Sequence, residues 1–183
     1  MTKGCHGQFL ALAAIAFILV MPAHAFADKV DDGMRAYEAA KYEEAFELLL
    51  PAAQEGKASA QSIIGSLYMD GKGTAQDVEE ARKWFRRAAL QGDDTAQFNL
   101  GVMLYNGVGG PRNDLEAYKW MLISWKSGNK NASRQFRIVS ADLSRQERAE
   151  VEKMVKSWKY GDPIPGTEKT EEEPKKKRKL FVD

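Results

Sequence analysis

Apolar side chains recur at helical spacing through the middle of the chain. One stripe steps by four, three and one residues, and it consists of Ala60, Ile64, Leu67 and Tyr68. A second stripe follows a glycine-containing segment, and it consists of Ala81, Trp84, Phe85, Ala88 and Ala89. Glycine enters left-handed backbone conformations at little cost, so the segment DGKG between the stripes ends the first helix. The pattern predicts a unit built as helix, glycine loop, helix and turn.

The same unit occurs twice in succession along the chain. Residues 60–95 align with residues 96–131 without a gap, at a period of 36 residues. The identical pairs are Ala60/Ala96, Gln61/Gln97, Gly65/Gly101, Gly71/Gly107, Gly73/Gly109, Glu80/Glu116, Ala81/Ala117, Lys83/Lys119, Trp84/Trp120 and Gly92/Gly128. A fixed period of this length is typical of repeat proteins, in which each unit is too small to bury its own hydrophobic face.

Two local features add detail to the unit. Gly65 lies inside the first helix, where glycine costs about 1 kcal/mol relative to alanine. We therefore expect a neighbouring helix to pass too close to leave room for a Cβ. Asp77 with Glu80, and Asn113 with Glu116, have the spacing of a capping box at the start of the second helix.

Partial units flank the two full ones. In residues 28–59, the segment YEEAFELLLPAAQEG repeats the second helix, and residues 28–40 would form the helix before it. Its expected buried residues are Ala45, Leu48, Ala52 and Ala53, with Gly56 at its end. In residues 132–160, Ser144 and Glu147 open a final helix with an apolar side made of Ala149, Val151, Met154, Val155 and Trp158. Because the end of a repeat stack must present a polar face to water, we interpret this helix as a cap.

The pattern AxxxLGxxYxxGxG, continued by D, A, W, AA and GD, resembles that of Sel1-like repeats, which are relatives of tetratricopeptide repeats. The resemblance covers residues 28–158 and is strongest over 60–129. It implies an all-α fold, an α/α solenoid (superhelix) of helix-loop-helix repeats with a C-terminal capping helix. Leu104 departs from the pattern at the place of Tyr68, and Trp125 at the place of Ala89. We therefore expect the second full unit to pack differently against the final helices.

The resemblance also implies a binding groove. Stacked helix pairs curve into a superhelix with an extended concave face, and in tetratricopeptide repeats the first helix of each pair lines it. The corresponding residues in this chain are Met34 and Tyr37; Ser62, Ile63, Ser66, Met69 and Asp70; and Phe98, Asn99, Val102, Tyr105 and Asn106. The last set suits an extended peptide or a partner helix. The alternative is that Phe98, Val102 and Tyr105 pack against the terminal helices.

The two ends of the chain differ from the repeats. Residues 1–27 hold Lys3, a run of 13 apolar residues and two small-x-small cleavage patterns, which predicts a signal peptide cleaved near Ala25 or Ala27. A retained membrane anchor is the alternative, although a bilayer span needs roughly 20 apolar residues. We expect a periplasmic or secreted protein whose domain occupies residues 28–160.

Residues 161–183 form a charged tail with three glutamates in a row and the basic run Lys175–Lys179. So little apolar sequence predicts a solvated tail. Weak attachment of the basic run to an anionic envelope surface is the alternative, and PKKKRKL also resembles a nuclear import signal.

The remaining composition limits the chemistry. Cys5, His6 and His24 all lie in the predicted leader, so the mature chain has no cysteine or histidine for a metal site, a disulfide, a cysteine nucleophile or a Ser-His-Asp triad. Lys3 is the only charged residue before Asp28, and from there 26 basic residues balance 26 acidic ones. We expect no cofactor, no metal and no nucleic-acid partner.

Three functions remain open. The family resemblance favours a non-enzymatic adaptor or scaffold of the bacterial cell envelope that binds a segment of a partner protein and is itself a monomer. One alternative is a surface tether that uses the polybasic tail. The other is a cell-wall-active enzyme that uses paired carboxylates.

Overall fold

The structure is a computed structural model that describes residues 23–156 and 158 of the chain. The predicted tail and the predicted leader up to residue 22 lie outside the described residues. So does the last part of the predicted cap, apart from Trp158.

The described part of the chain forms eight α-helices and no strand. They are α1 (Ala23–Glu38), α2 (Tyr42–Gln54), α3 (Ala58–Asp70), α4 (Val78–Leu90), α5 (Asp94–Asn106), α6 (Asp114–Lys126), α7 (Ala132–Asp142) and α8 (Arg145–Lys156). From α1 to α7 each helix packs against the next, so that α1/α2, α3/α4 and α5/α6 stack as successive hairpins. The predicted all-α solenoid is confirmed.

The first helix of each hairpin contains a glycine that allows the second helix to approach closely. A Cβ built at Gly65 would lie 2.9 Å from Cδ1 of Phe85, and one at Gly101 would lie 2.7 Å from Cγ of Met121. The close approach predicted at Gly65 is therefore confirmed. Gly33 has the same role against Leu49, which sequence analysis missed because Gly33 precedes Gly65 by 32 residues and not by 36.

This packing corrects one expectation for the first unit. Leu49 is fully buried, whereas Leu48 is only partly buried. The reason is that Leu49, at the place of Phe85, is the side chain that packs over Gly33.

The glycine loops join each repeat to the one before it. Gly73 has φ +70° and lies on the first turn of α2, where an added Cβ would collide with the carbonyl group of Tyr42 and lie 2.7 Å from the backbone nitrogen of Glu43. Gly109 has φ +67° and lies in the same way against the carbonyl of Val78, the first residue of α4. Both glycines thus combine a left-handed backbone with a contact between two backbones, which no other residue type allows without strain.

A buried glutamine adds a second joint between repeats. Gln61 donates a hydrogen bond from Nε2 to the carbonyl oxygen of Ala53 (3.0 Å), and Gln97 donates the equivalent bond to Ala89 (3.2 Å). The last carbonyls of a helix have no partner within that helix. The identical pair Gln61/Gln97 therefore satisfies the end of the preceding second helix.

The predicted capping boxes are only half formed. Asp77 accepts hydrogen bonds from the backbone N–H groups of Glu79 and Glu80, and Asn113 accepts one from Glu116. The glutamates do not return the bond, because the N–H groups of Asp77 and Asn113 donate to backbone carbonyls of α3 and α5. The reciprocal box forms at Ser144 and Glu147, as predicted.

Glu116 instead links two repeats. Its Oε1 accepts hydrogen bonds from Nη1 of Arg86 on α4 (2.9 Å) and from Nε1 of Trp120 (3.2 Å). Burial by itself would raise the pKa of Glu116, but the hydrogen bond and charge of Arg86, helped by Trp120, hold the pKa below its ordinary value.

The stack changes after α6. Arg137 on α7 takes the place of Gly65 and Gly101, and α8 packs mainly against α6, with Arg148 of α8 donating a hydrogen bond to the carbonyl of Ser140 on α7. Trp125 is 50% exposed and stacks on Phe136 of α7 at 5.9 Å between ring centroids. The second full unit therefore packs differently from the first at this position, as expected, because the tryptophan lies at the surface where Ala89 is buried. Val151, Val155 and Trp158 are buried as predicted, whereas Ala149 and Met154 are exposed, because α8 covers α6 with one narrow face.

Gly73→Ala is expected to destabilise the fold more than Gly71→Ala. Both glycines have a left-handed backbone, but the atoms nearest to a Cβ at Gly71 belong to Gln76 of the same loop, at 3.0 Å or more, so a small shift of the loop makes room. At Gly73 the Cβ would overlap the backbone of α2, which lies in another hairpin. We expect Gly73→Ala to lower the free energy of unfolding by about 2 kcal/mol more than Gly71→Ala, measured by urea unfolding with circular dichroism. Equal losses would show that the loop contact does not hold the repeats together.

Glu116→Gln is expected to weaken the fall in the free energy of unfolding as the pH is lowered. A depressed pKa in the folded state contributes stability above the pKa of the unfolded chain, and this contribution is lost as pH falls through the folded pKa. Between about pH 6 and pH 3 the original chain should lose on the order of 1 kcal/mol more than the variant. Glu80→Gln is the matched control, because Glu80 has the same place in the preceding repeat and pairs with Lys83 at the surface. The same weakening in both variants would contradict the assignment.

Candidate functional site

The inner side of the stack is formed by the first helix of each hairpin. Helix α1 contacts α3, and α5 contacts α7, whereas less contact is made between α3 and α5 and among α2, α4 and α6. Helices that lie closer together mark the inside of a bend. The predicted groove residues of α1, α3 and α5 are therefore considered on this side.

Six of the predicted groove residues pack against the hydrophobic core. Met34, Tyr37 and Ile63 pack against the core of the first two hairpins, and Met69, Val102 and Tyr105 pack against the core of the later helices. Tyr37 also meets the ring of Tyr42 edge-on at 5.8 Å. These side chains contribute to the stack as well as to its surface.

Two predicted residues on α3 form hydrogen bonds inside the protein. Ser62 is only 6% exposed and donates to Oδ1 of Asp93 at 3.1 Å, and Ser66 donates to the backbone carbonyl of Ser62. Burial raises the pKa of Asp93, while hydrogen bonds from Ala96 N–H and Ser62 Oγ oppose the rise. Ser62 thus helps to hold the turn between α4 and α5.

Tyr105 belongs to a cluster of polar groups at one end of α5. Its hydroxyl donates to Oδ2 of Asp142 at 2.7 Å, and the guanidinium of Arg112 lies over its ring at 4.6 Å from the centroid. Arg112 also pairs with Asp114 and Asp142. The hydrogen bond to Asp142 raises the pKa of Tyr105 above its ordinary value. The contact with α7 fits the alternative that Tyr105 packs against the terminal helices.

Three predicted residues are left without such contacts. The side chains of Asn99 and Asn106 make no hydrogen bond to any residue that the structure describes. Phe98 is half-buried and, within the same residues, packs against neither of the two core clusters. Phe98, Asn99 and Asn106 therefore present an aromatic ring and two amides that the fold itself does not use.

Ile138 on α7 was missed by sequence analysis. It is 45% exposed and stands 36 residues after Val102, so it continues the apolar row from α5 onto α7. The 36-residue period could have identified Ile138 as the counterpart of Val102. The glycine pattern is absent after Ala132, however, so the predicted groove was not extended beyond the third unit.

The arrangement offers binding groups and no evident acid–base pair. Asp114 and Asp142 converge, but both bond to Arg112 in an ion-pair network. No group of three acidic side chains capable of holding a metal ion occurs in residues 23–156 or at 158. None of the described helices is long and apolar enough to cross a bilayer.

Comparison with known proteins identifies the repeats. A family model described as Sel1 repeat matches residues 38–57, 58–93 and 94–129. The second and third matches begin with α3 and α5, two residues before the unit boundaries that sequence analysis predicts. No curated protein matches the chain.

Two solved structures are similar in fold. One is a protective antigen present in uropathogenic Escherichia coli strains that displays an SLR fold, with a TM-score of 0.67, 25% identity and coverage of 74% of this chain and 30% of that one. The other is a Sel1 repeat protein from Oxalobacter formigenes, with a TM-score of 0.60, 30% identity and coverage of 69% and 52%. This chain thus spans about a third and about half of these longer proteins.

Proposed function

Because this chain belongs to the Sel1 repeat family, we propose that it is a non-enzymatic adaptor of the bacterial cell envelope that binds a segment of a partner protein along the inner side of its solenoid. Sel1 repeat proteins generally mediate protein–protein interaction, and their fold is typically a scaffold without enzymatic activity. The envelope location and the binding surface are the parts specific to this chain.

The proposal rests on helix α5, where one set of residues is buried in the core and another set is not used in it. Leu100, Gly101 and Leu104 are buried in the core, whereas Phe98 packs against neither core cluster, and Asn99 and Asn106 make no hydrogen bond within the described residues. An amide can donate to and accept from a peptide backbone at once, and an aromatic ring supplies apolar contact area. An extended or helical partner segment would meet both along two turns of one helix.

The stack would bind by preorganisation. The helix that carries Phe98 and Asn99 is held from both sides, by Gln97 bonded to the preceding hairpin and by Gly101 against α6. A rigid surface loses little conformational entropy when it binds, so more of the contact energy appears as affinity.

The envelope location rests on the leader. The apolar run of residues 9–21 and the cleavage patterns at Ala25 and Ala27 are those of an exported protein. Export would place the repeats among envelope proteins, which are then the source of partners.

A photo-crosslinking residue placed at Phe98 is expected to capture the partner in intact cells, whereas the same residue at Leu115 is not. Leu115 is 41% exposed on α6, a second helix, and serves as the matched control. With the captured protein purified, Phe98→Ala together with Asn99→Ala should weaken its affinity at least about tenfold, because anchor residues contribute more than about 1 kcal/mol each.

The circular dichroism spectrum and urea midpoint of this double variant should stay close to those of the original chain, since neither side chain is in the core. Capture at Leu115 and not at Phe98, or unchanged affinity of the double variant, would place the binding surface elsewhere.

The exported protein is expected to begin at Phe26 or Asp28. Mass spectrometry of the protein from the periplasmic or secreted fraction measures this directly. Ile15→Arg interrupts the apolar run and should leave an uncleaved chain in the cytoplasm. If the unsubstituted chain keeps residue 1 and stays in the cytoplasm, the envelope role is rejected. The proposed binding surface would not be affected by that result.

A further inference from the structure

Helix α7 carries a basic stripe that the fold does not use. Arg134 and Arg137, three residues apart, are exposed on one side of the helix, and Lys130 is exposed in the turn before it. Ile138 lies beside them and is 45% exposed. This basic stripe, defined by Lys130, Arg134 and Arg137, adds three positive charges to the end of the solenoid.

The stripe has no counter-charge among the described residues. No carboxylate of the described chain forms an ion pair with any of its three members. Asp142, the carboxylate at the end of the same helix, is bonded to Tyr105 and Arg112. Other cations of this region are engaged: Lys126 donates to backbone carbonyls of α8, and Arg148 donates to those of Ser140 and Leu143.

The stripe is also uncovered by the fold. In the repeats before it, the second helix packs over the glycine of the first. On α7 that place is taken by Arg137, and α8 packs against α6. Arg137 is therefore exposed at the place where a second helix would pack in another repeat.

The described chain ends close to the beginning of this stripe. Nζ of Lys126 donates to the backbone carbonyls of Val155 (2.8 Å) and Trp158 (3.3 Å), so the chain leaves the domain beside the end of α6. Lys130 lies only four residues after Lys126. The sequence after Trp158 therefore starts beside the end of α6, close along the chain to Lys130.

This C-terminal sequence supplies the missing charge. Glu168 and the run Glu171–Glu173 begin ten and thirteen residues after Trp158. Thirteen residues reach up to about 43 Å when extended, whereas the 11 residues of α7 span only about 16 Å. We propose that the acidic segment 168–173 of this chain docks on the basic stripe of α7 within the same molecule.

Zero-length carbodiimide crosslinking of the full chain at low concentration tests this, because the reagent joins a carboxylate to a lysine amine only where the two touch. We expect crosslinks from Lys130 to the run Glu171–Glu173, located by mass spectrometry in the monomer band. Arg134→Gln with Arg137→Gln should lower their yield at least fivefold, and so should 0.5 M sodium chloride, since exposed pairs are screened on the order of this concentration. Arg87→Gln is the matched control, as Arg87 is exposed on α4, outside the stripe.

Three results would overturn the proposal. One is glutamates joined only to Lys175–Lys179 of the tail itself. Another is Lys130 crosslinks that appear only between two copies of the chain, in a dimer band. The third is a yield that the two arginine changes do not alter. Circular dichroism confirms that the variants keep their helices, which is expected because neither arginine packs in the core. None of these outcomes depends on the partner of the inner surface.

Discussion

Each glycine loop contacts the first turn of the second helix in the preceding hairpin, and this contact sets the geometry of the stack. At Gly73 and Gly109 two backbones touch, and a backbone cannot change its rotamer to make room. The contact fixes how far one hairpin is displaced from the next, and the buried glutamine at Gln61 and Gln97 fixes the neighbouring helix end in the same place in each repeat. The side chains of the core then fill a space whose dimensions the backbone has already determined.

The proposed binding surface is the part of each first helix that is not used in packing against other helices. Every first helix must turn one face to its own second helix and another to the preceding hairpin. On α3 the remaining face is taken up by Ser62 and Ser66, which bond internally, whereas on α5 Asn99 makes no hydrogen bond within the described residues and Phe98 packs against neither core cluster. The proposed binding surface is therefore centred on the third unit, and its rigidity comes from the same joints that hold the stack.

The stack ends where α7 lacks the glycine that allows a second helix to pack closely against the first. With arginine at position 137, no second helix can approach α7 as α4 approaches α3, so α8 turns back onto α6. The consequence is an open, charged helix at the end of the solenoid and an exposed Trp125. A terminus that is polar to solvent prevents further repeats from adding and remains soluble, as a solenoid end must.

The sequence by itself determined the helices, their period and the glycines, because these depend on local spacing and on backbone conformations that a residue type either allows or forbids. It could not show that Glu80 and Glu116 leave their predicted capping boxes, since the N–H groups of Asp77 and Asn113 bond to carbonyls of the preceding helices and Glu116 pairs with Arg86 of another repeat. Nor could it separate Phe98 and Asn99 from Tyr105 and Ser62 within the predicted groove, because exposure to a partner depends on what α7 and the turn before α5 cover. Those choices were made only by tertiary packing, which brings together residues that lie some 30 positions apart and decides which polar groups are already satisfied.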